Sequence, residues 1–106
     1  MSDKFTYIAD LAKQQEVPMD GIISRTIYVD EQVKAVLFGF GKDQELSEHN
    51  SSMAAIIQII EGEATLTLGD ETIEAKSGSW IVMPPLMQHS LYAKTPVVML
   101  LLLLKG

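Results

Sequence analysis

The stretch between residues 59 and 89 constrains the fold of this chain more than any other, because closely spaced turn signals divide it into short strands. Gly69-Asp70 supplies hairpin-turn chemistry between the alternating segment 65–68 and its partner 72–75. Pro84 follows Gly78 after five residues, and His89 lies five positions further on. A glycine turn, a short apolar strand and a proline-rigidified turn therefore lead to a histidine on the next strand.

The rest of the chain is also typical of short strands. Alternation predicts two strands in 22–37 around a polar turn at Asp30-Glu31, and the apolar run 54–60 predicts another. Residues 4–15 predict one short amphipathic helix or turn, and 41–52, apart from Leu46, predicts a polar loop. Eight or nine strands with almost no helix favour a sandwich or barrel over an α/β fold.

Composition excludes several classes of function. The chain has 106 residues, which predicts one domain, and its net charge of −6 with scattered Lys and Arg argues against a nucleic-acid surface. It has no cysteine, so disulfides, thiolate metal sites and a cysteine nucleophile are excluded. Its longest apolar run, 97–104, is far shorter than the roughly twenty residues of a membrane span. We expect a soluble cytoplasmic protein that binds neither nucleic acid nor membrane.

The run 97–104 is apolar at every position. A strand that is apolar on both faces must be covered on both faces, one by the core and the other by further protein. This pattern predicts a homodimer with the C-terminal strand at or near the interface.

The spacing of Gly78, Pro84 and His89 resembles the second sequence motif of small single-domain cupins, with Leu86 in place of that motif's second glycine and Ala93 in place of its asparagine. Counting between Gly41 and Gly62, the first cupin motif is similar but degenerate. Ser47 stands where the first histidine belongs, His49 stands at the second, and Ala55 stands at the glutamate.

The resemblance covers about residues 35–104 of a single domain spanning 1–106. It implies an all-β, jelly-roll-like barrel, the double-stranded β-helix, preceded by the short N-terminal helix. Cupins with the full ligand set bind iron, manganese, nickel or zinc and act as dioxygenases, isomerases or decarboxylases, whereas others bind small ligands without catalysis. Fold alone does not choose among these functions.

His49 and His89 are the candidate metal ligands, because neutral imidazole suits divalent transition metals. Two histidines predict at most one weakly held Zn, Fe, Ni or Mn ion, with Ser47 or an amide, Gln44 or Gln58, as a further ligand. Strand alternation would place Ser47 on the His49 face and Glu48 on the other. In the alternative without metal, both imidazoles are hydrogen-bonded inside a pocket for an apolar ligand.

Six side chains are candidates for lining that pocket: Ser47, Phe38, Phe40, Met53, Met83 and Tyr92. The function predicted from these features is a small-molecule binding or sensing module with a degenerate two-histidine pocket, in which a metal is optional. The alternatives are a metal-dependent oxygenase or isomerase acting on a small carbonyl or hydroxylated substrate, and a structural dimer with a vestigial cavity. A catalytic residue is not identifiable from the sequence.

Overall fold

The computed structural model describes residues 5–49 and 51–105, apart from the side chains of Glu48 and His49. Nine antiparallel strands run through this part of the chain. In chain order they are β1 (Ile22–Val29), β2 (Val33–Phe40), β3 (Glu45–His49), β4 (Ala54–Glu61), β5 (Glu63–Leu68), β6 (Glu71–Lys76), β7 (Trp80–Met83), β8 (His89–Ala93) and β9 (Val97–Leu104).

The strands form two sheets. Sheet A has the order β1-β2-β9-β4-β7, and sheet B has the order β3-β8-β5-β6. Strands distant in sequence are therefore neighbours in space, since the C-terminal β9 lies at the centre of sheet A. The all-β architecture predicted from the turn pattern is confirmed, and no helix in the described part of the chain is long and apolar enough to span a membrane.

The core lies between the sheets and is built by alternation along each strand. In β9, Val97 and Met99 are buried in it, and Leu101 and Leu103 pack against it. The intervening Leu100 and Leu102 therefore face the outer side of sheet A. The predicted two-sided apolar character of this strand corresponds to a central position in the sheet.

The predicted N-terminal helix is reduced to a 3-10 turn at Leu11–Gln14. The Asp10 carboxylate accepts a hydrogen bond from the Ala12 amide at 3.1 Å, and Gln15 is already extended. The following segment crosses the outer face of sheet A so closely that a Cβ on Gly39 of β2 would collide with the main-chain oxygen of Glu16. Close backbone contact with β2, which glycine permits, therefore positions the N-terminal segment. The segment does not pack as an amphipathic helix.

The expectation of a loop over 41–52 is wrong in part, because β3 (Glu45–His49) lies within it. β3 is an edge strand of sheet B that pairs with β8, and its half-buried Leu46 packs against the core. A mostly polar strand with one inward apolar side chain has almost no alternation in its sequence, so it cannot be recognised from the sequence alone. It is identified by its pairing with β8.

Candidate functional site

One end of the barrel brings together the histidines and several strand termini, and we call it the histidine end. β3 ends at His49, β8 begins at His89, β5 ends at Leu68, and β6 begins at Glu71. Backbone register makes these four residues one row across sheet B, with His49 opposite His89, His89 opposite Leu68, and Leu68 opposite Glu71. The side chain of His49 lies outside the described part of the structure.

His89 is a buried polar residue, with only 9% of its surface exposed. Its Nδ1 atom lies 3.1 Å from the main-chain oxygen of Met87. Because a carbonyl can only accept, this contact requires a proton on Nδ1, and the lone pair of the neutral ring is then on Nε2. Such a backbone contact fixes the tautomer and ring orientation that a metal-ligating or ligand-binding histidine needs.

The turn between β7 and β8 orients His89. Its backbone closes with a hydrogen bond from the Met87 amide to the Pro84 carbonyl at 3.4 Å, while Leu86 has a φ of +69°. Proline at the second position and a positive φ at the third are the features of a type II turn. Leu86 stands where the resembling motif has glycine, so the backbone conformation is kept although the residue that favours it is replaced.

A hydrogen bond of 2.7 Å from the Leu86 amide to the Ser51 carbonyl ties this turn to the loop before β4. The Ser51 hydroxyl in turn accepts from the Met53 amide at 3.1 Å. Loops on both sides of the two histidine positions are therefore connected through main-chain groups.

The predicted pocket residues divide between the two ends of the barrel. Met83 is buried on the inner face near the histidine end, where it pairs with Ala55, and Met53 is half-buried in the adjoining loop. Phe38 and Phe40 stack with ring centroids 5.8 Å apart, as their spacing predicts. Phe40 is fully buried and pairs with Val97 at the opposite end, so it is a core residue distant from His89.

Tyr92 and Ser47 face solvent. Tyr92 lies between the buried Leu91 and Ala93, is 37% exposed, and donates its hydroxyl to Asp43 Oδ1 at 2.6 Å. This hydrogen bond raises the pKa of Tyr92. Ser47 is exposed, and the β3–β8 register shifts between Leu46 and His49, so strict alternation does not relate Ser47 to His49.

The two amides predicted as metal ligands lie away from His89. Gln58 is between the buried Ile57 and Ile59, so it belongs to the outer face of sheet A, opposite Trp80. Gln44 lies beside Ala93, at the other end of β8, since its carbonyl accepts from the Ala93 amide at 2.9 Å. Neither amide is placed to complete a metal site with His89.

No group of three or more histidine, cysteine or carboxylate side chains suited to a metal ion occurs among the described side chains, a set that excludes His49. Three surface clefts lie elsewhere. One of them, of about 370 Å³, is formed by turns at the opposite end of the barrel and is lined by Gly62, Glu63, Lys76, Ser77 and Thr95. Its wall mixes acidic and basic groups, and none of its lining residues belongs to the histidine end.

One inner-face residue was missed in the sequence interpretation. Lys34 pairs with the inward Leu103 and is half-buried at the histidine end. The signal was present, because Phe38 and Phe40 define one face of β2 and counting back in twos reaches Lys34. Val33, Ala35 and Leu37 make the other face of β2 apolar as well, so the sequence alone does not show which face is inner.

Comparison with known proteins gives the same fold. The family model described as Cupin domain matches residues 36–103. A conserved protein of unknown function from Streptococcus pyogenes is 31% identical, with a TM-score of 0.86 over 97% of this chain and 90% of that one.

Two further solved structures, both less than 25% identical, show the fold alone. A cupin superfamily protein from Desulfitobacterium hafniense is 22% identical, with a TM-score of 0.87 over 97% of this chain and 94% of that one. KdgF from a Halomonas species is 20% identical, with a TM-score of 0.78 over 87% and 86%. No sequence among the curated proteins matches this chain.

Proposed function

This chain belongs to the cupin domain family, and we propose that it binds a small organic molecule at the histidine end of its barrel, with a divalent metal as an optional part of the site. The observation that carries the proposal is the register that sets His49 directly opposite His89. Directly opposed positions of an antiparallel pair share one face, so two imidazoles can act on one ligand.

The surroundings of His89 support binding of a partly apolar molecule. Leu68 and Met87 are half-buried beside it, and Met83 is buried on the inner face of sheet A at the same end. Pockets for small molecules combine such apolar walls with a few oriented polar groups. The Nδ1 contact of His89 with Met87 supplies that orientation.

Two imidazoles hold a metal weakly, because the remaining positions are left to water or to the ligand itself. The proposal is tested by calorimetric titration of the full chain with Zn²⁺ and Ni²⁺, alongside elemental analysis of untagged protein. His49→Ala and His89→Gln should each weaken metal binding at least about tenfold. Gln58→Ala is the matched control, because its outer-face position predicts no change.

Equal metal affinity in wild type and both histidine variants would refute the two-histidine site. Metal that survives extensive dialysis against a chelator would refute weak binding. Turnover of a small carbonyl or hydroxylated compound by the metal-loaded chain would instead favour an oxygenase or isomerase.

We also propose that the protein is a homodimer. A row of five apolar residues crosses the outer face of sheet A in register: Tyr28, Ala35, Leu102, Ile56 and Val82. Tyr28 and Val82, at its two ends, are 38% and 52% exposed. An apolar stripe across a sheet face is typical of a surface that a second subunit covers.

A further inference from the structure

Lys34 has a position that a lysine seldom occupies in a small barrel. Its Cα partners are Val29 in β1 and Leu103 in β9, and Leu103 packs against the core. Alternation with Phe38 along β2 places Lys34 on the inner face of sheet A. The residue is half-buried there.

This position belongs to the histidine end. The row of inner-face residues that contains Lys34 continues through Leu103 and Ala55 to Met83, which directly precedes the turn leading to His89. Sheet faces pack about 10 Å apart, so the long side chain of an inner-face lysine reaches toward the opposite sheet.

Connectivity brings Lys34 to the side of the barrel that carries β3. The short connection 41–44 joins β2 to β3 across the two sheets. Lys34 precedes Gly41 by seven residues, and His49 follows Gln44 by five. Both residues therefore lie at the ends of these strands remote from the connection, which is the histidine end.

The Lys34 ammonium makes no hydrogen bond or ion pair with the described residues, whereas the ammonium groups of Lys94 and Lys105 do. Lys94 binds Glu74 Oε1 at 2.9 Å, and Lys105 donates to the Asp30 carbonyl at 2.9 Å. Glu71 shares the inner-face row of His89, but it is exposed and lies on β6, at the far edge of sheet B. Lys34 is half-buried as a residue, and an anion bound at this end would give its ammonium a charge-assisted hydrogen bond.

We propose that Lys34 binds the carboxylate of a small organic acid whose remaining part lies against His89. This inference rests on the proposed ligand site at the histidine end and specifies its ligand class. A carboxylate is favoured over a phosphate because phosphate sites combine several N–H donors or cations. Lys105, a second cation near this end in the described part of the chain, already donates to the Asp30 carbonyl.

The inference is tested by titrating the full chain, with and without Zn²⁺, with benzoate, succinate, oxalate, inorganic phosphate and neutral benzamide. At least one carboxylate should bind, and benzamide should bind more weakly than benzoate. Lys34→Met should weaken carboxylate binding at least about tenfold, whereas Lys34→Arg should retain it. Lys42→Met is the control, because Lys42 is exposed in the turn after β2 at the opposite end.

Thermal melts of the Lys34 variants show whether the fold is kept, and Zn²⁺ affinity of Lys34→Met should not fall. Carboxylate binding unchanged in Lys34→Met, no carboxylate binding by wild type, or stronger binding of phosphate than of every carboxylate would each overturn the inference. If His89→Gln abolishes binding while Lys34→Met does not, the ligand site stands and the role of Lys34 falls. If neither substitution matters, both fall.

Discussion

At the scale of one residue, Leu86 adopts a backbone conformation that normally favours glycine, although its side chain is leucine. Its φ of +69° belongs to the left-handed region, which costs an L-residue roughly 1–2 kcal/mol. The conformation is maintained by the turn hydrogen bond to Pro84 and by the amide contact with Ser51. The side chain itself is 67% exposed, so the loss of its packing should change the free energy of unfolding little when Leu86 is substituted.

Substitutions at Leu86 should rank by their tolerance of positive φ. We expect Leu86→Val to destabilise the fold by about 1 kcal/mol, because a β-branched residue is least compatible with this region. Leu86→Gly and Leu86→Asn should be at least as stable as wild type, and therefore more stable than Leu86→Val. Chemical denaturation measures the order, and a Val variant as stable as the Gly variant would contradict it.

Gly62 and Gly78 both have positive φ, of 97° and 94°, as expected for turn glycines, but their surroundings differ. A Cβ on Gly62 would collide with the Pro96 carbonyl, and Thr95 Oγ1 would lie 3.0 Å away. A Cβ on Gly78 would meet nothing within 4 Å.

Gly78→Val should therefore lower the free energy of unfolding by about 1–3 kcal/mol through backbone strain alone. Gly62→Ala should lower the free energy of unfolding more than Gly78→Ala does, because a clash with the Pro96 carbonyl adds to the same backbone strain. Melting temperatures of the two alanine variants provide the comparison. Equal losses would indicate that the turn at Gly62 relaxes freely.

At the scale of elements, β9 joins the two halves of sheet A and has one face toward the core. Its inner residues Leu101 and Leu103 contact the core cluster, so the outward residue in the proposed interface is Leu102. Leu102 lies between Ala35 and Ile56 in the apolar row that ends at Val82.

The homodimer proposal predicts that charge in this row produces monomers. Leu102→Glu and, more gently, Val82→Glu should convert dimer to monomer, because a carboxylate would be buried without a partner. Light scattering after size exclusion measures the mass, and circular dichroism checks the fold. Leu103→Glu, on the inner face, should instead unfold the chain. Wild type that is monomeric at high concentration would refute the proposal.

At the scale of the whole molecule, the response to acid depends on carboxylates that accept hydrogen bonds or form ion pairs in the folded state, because folding lowers their pKa. The Tyr28 hydroxyl, followed by the Gln32 and Val33 amides, donates to Asp30 and lowers its pKa below the ordinary 3.8. Lys94, together with Thr65, lowers the pKa of Glu74 below 4.5.

Because both folded-state pKa values are depressed, their stabilising contribution is complete above the ordinary pKa values and is lost as pH falls through the folded ones. The melting temperature should fall as the pH drops below about 4.5, and Asp30→Asn should flatten part of that decrease. Both groups are exposed, so high salt should reduce the effect of the Lys94 pair. Melting temperatures that stay constant from pH 6 to pH 3 would contradict this assignment.

Much of the fold was predictable because turn chemistry and alternation are local properties. The hairpin of β5 and β6 and the bounds of β9 follow from Gly69-Asp70 and from the apolar run, and His89 begins a strand as the turn spacing indicates. The polar edge strand β3 was not predictable in this way. Nor was the outward direction of Gln58 and Tyr92, since a sequence of short strands does not reveal which face each one buries.

By itself, the sequence determined where the chain turns and which segments are strands, because glycine and proline restrict φ and ψ at their own positions. Only the tertiary structure decided which strands are neighbours, because pairing depends on burial shared by segments far apart in the chain. That pairing sets His49 opposite His89 and puts Lys34 on the inner face beside Leu103. The candidate ligand site therefore depends on the register between paired strands, which cannot be read from the sequence of any one strand.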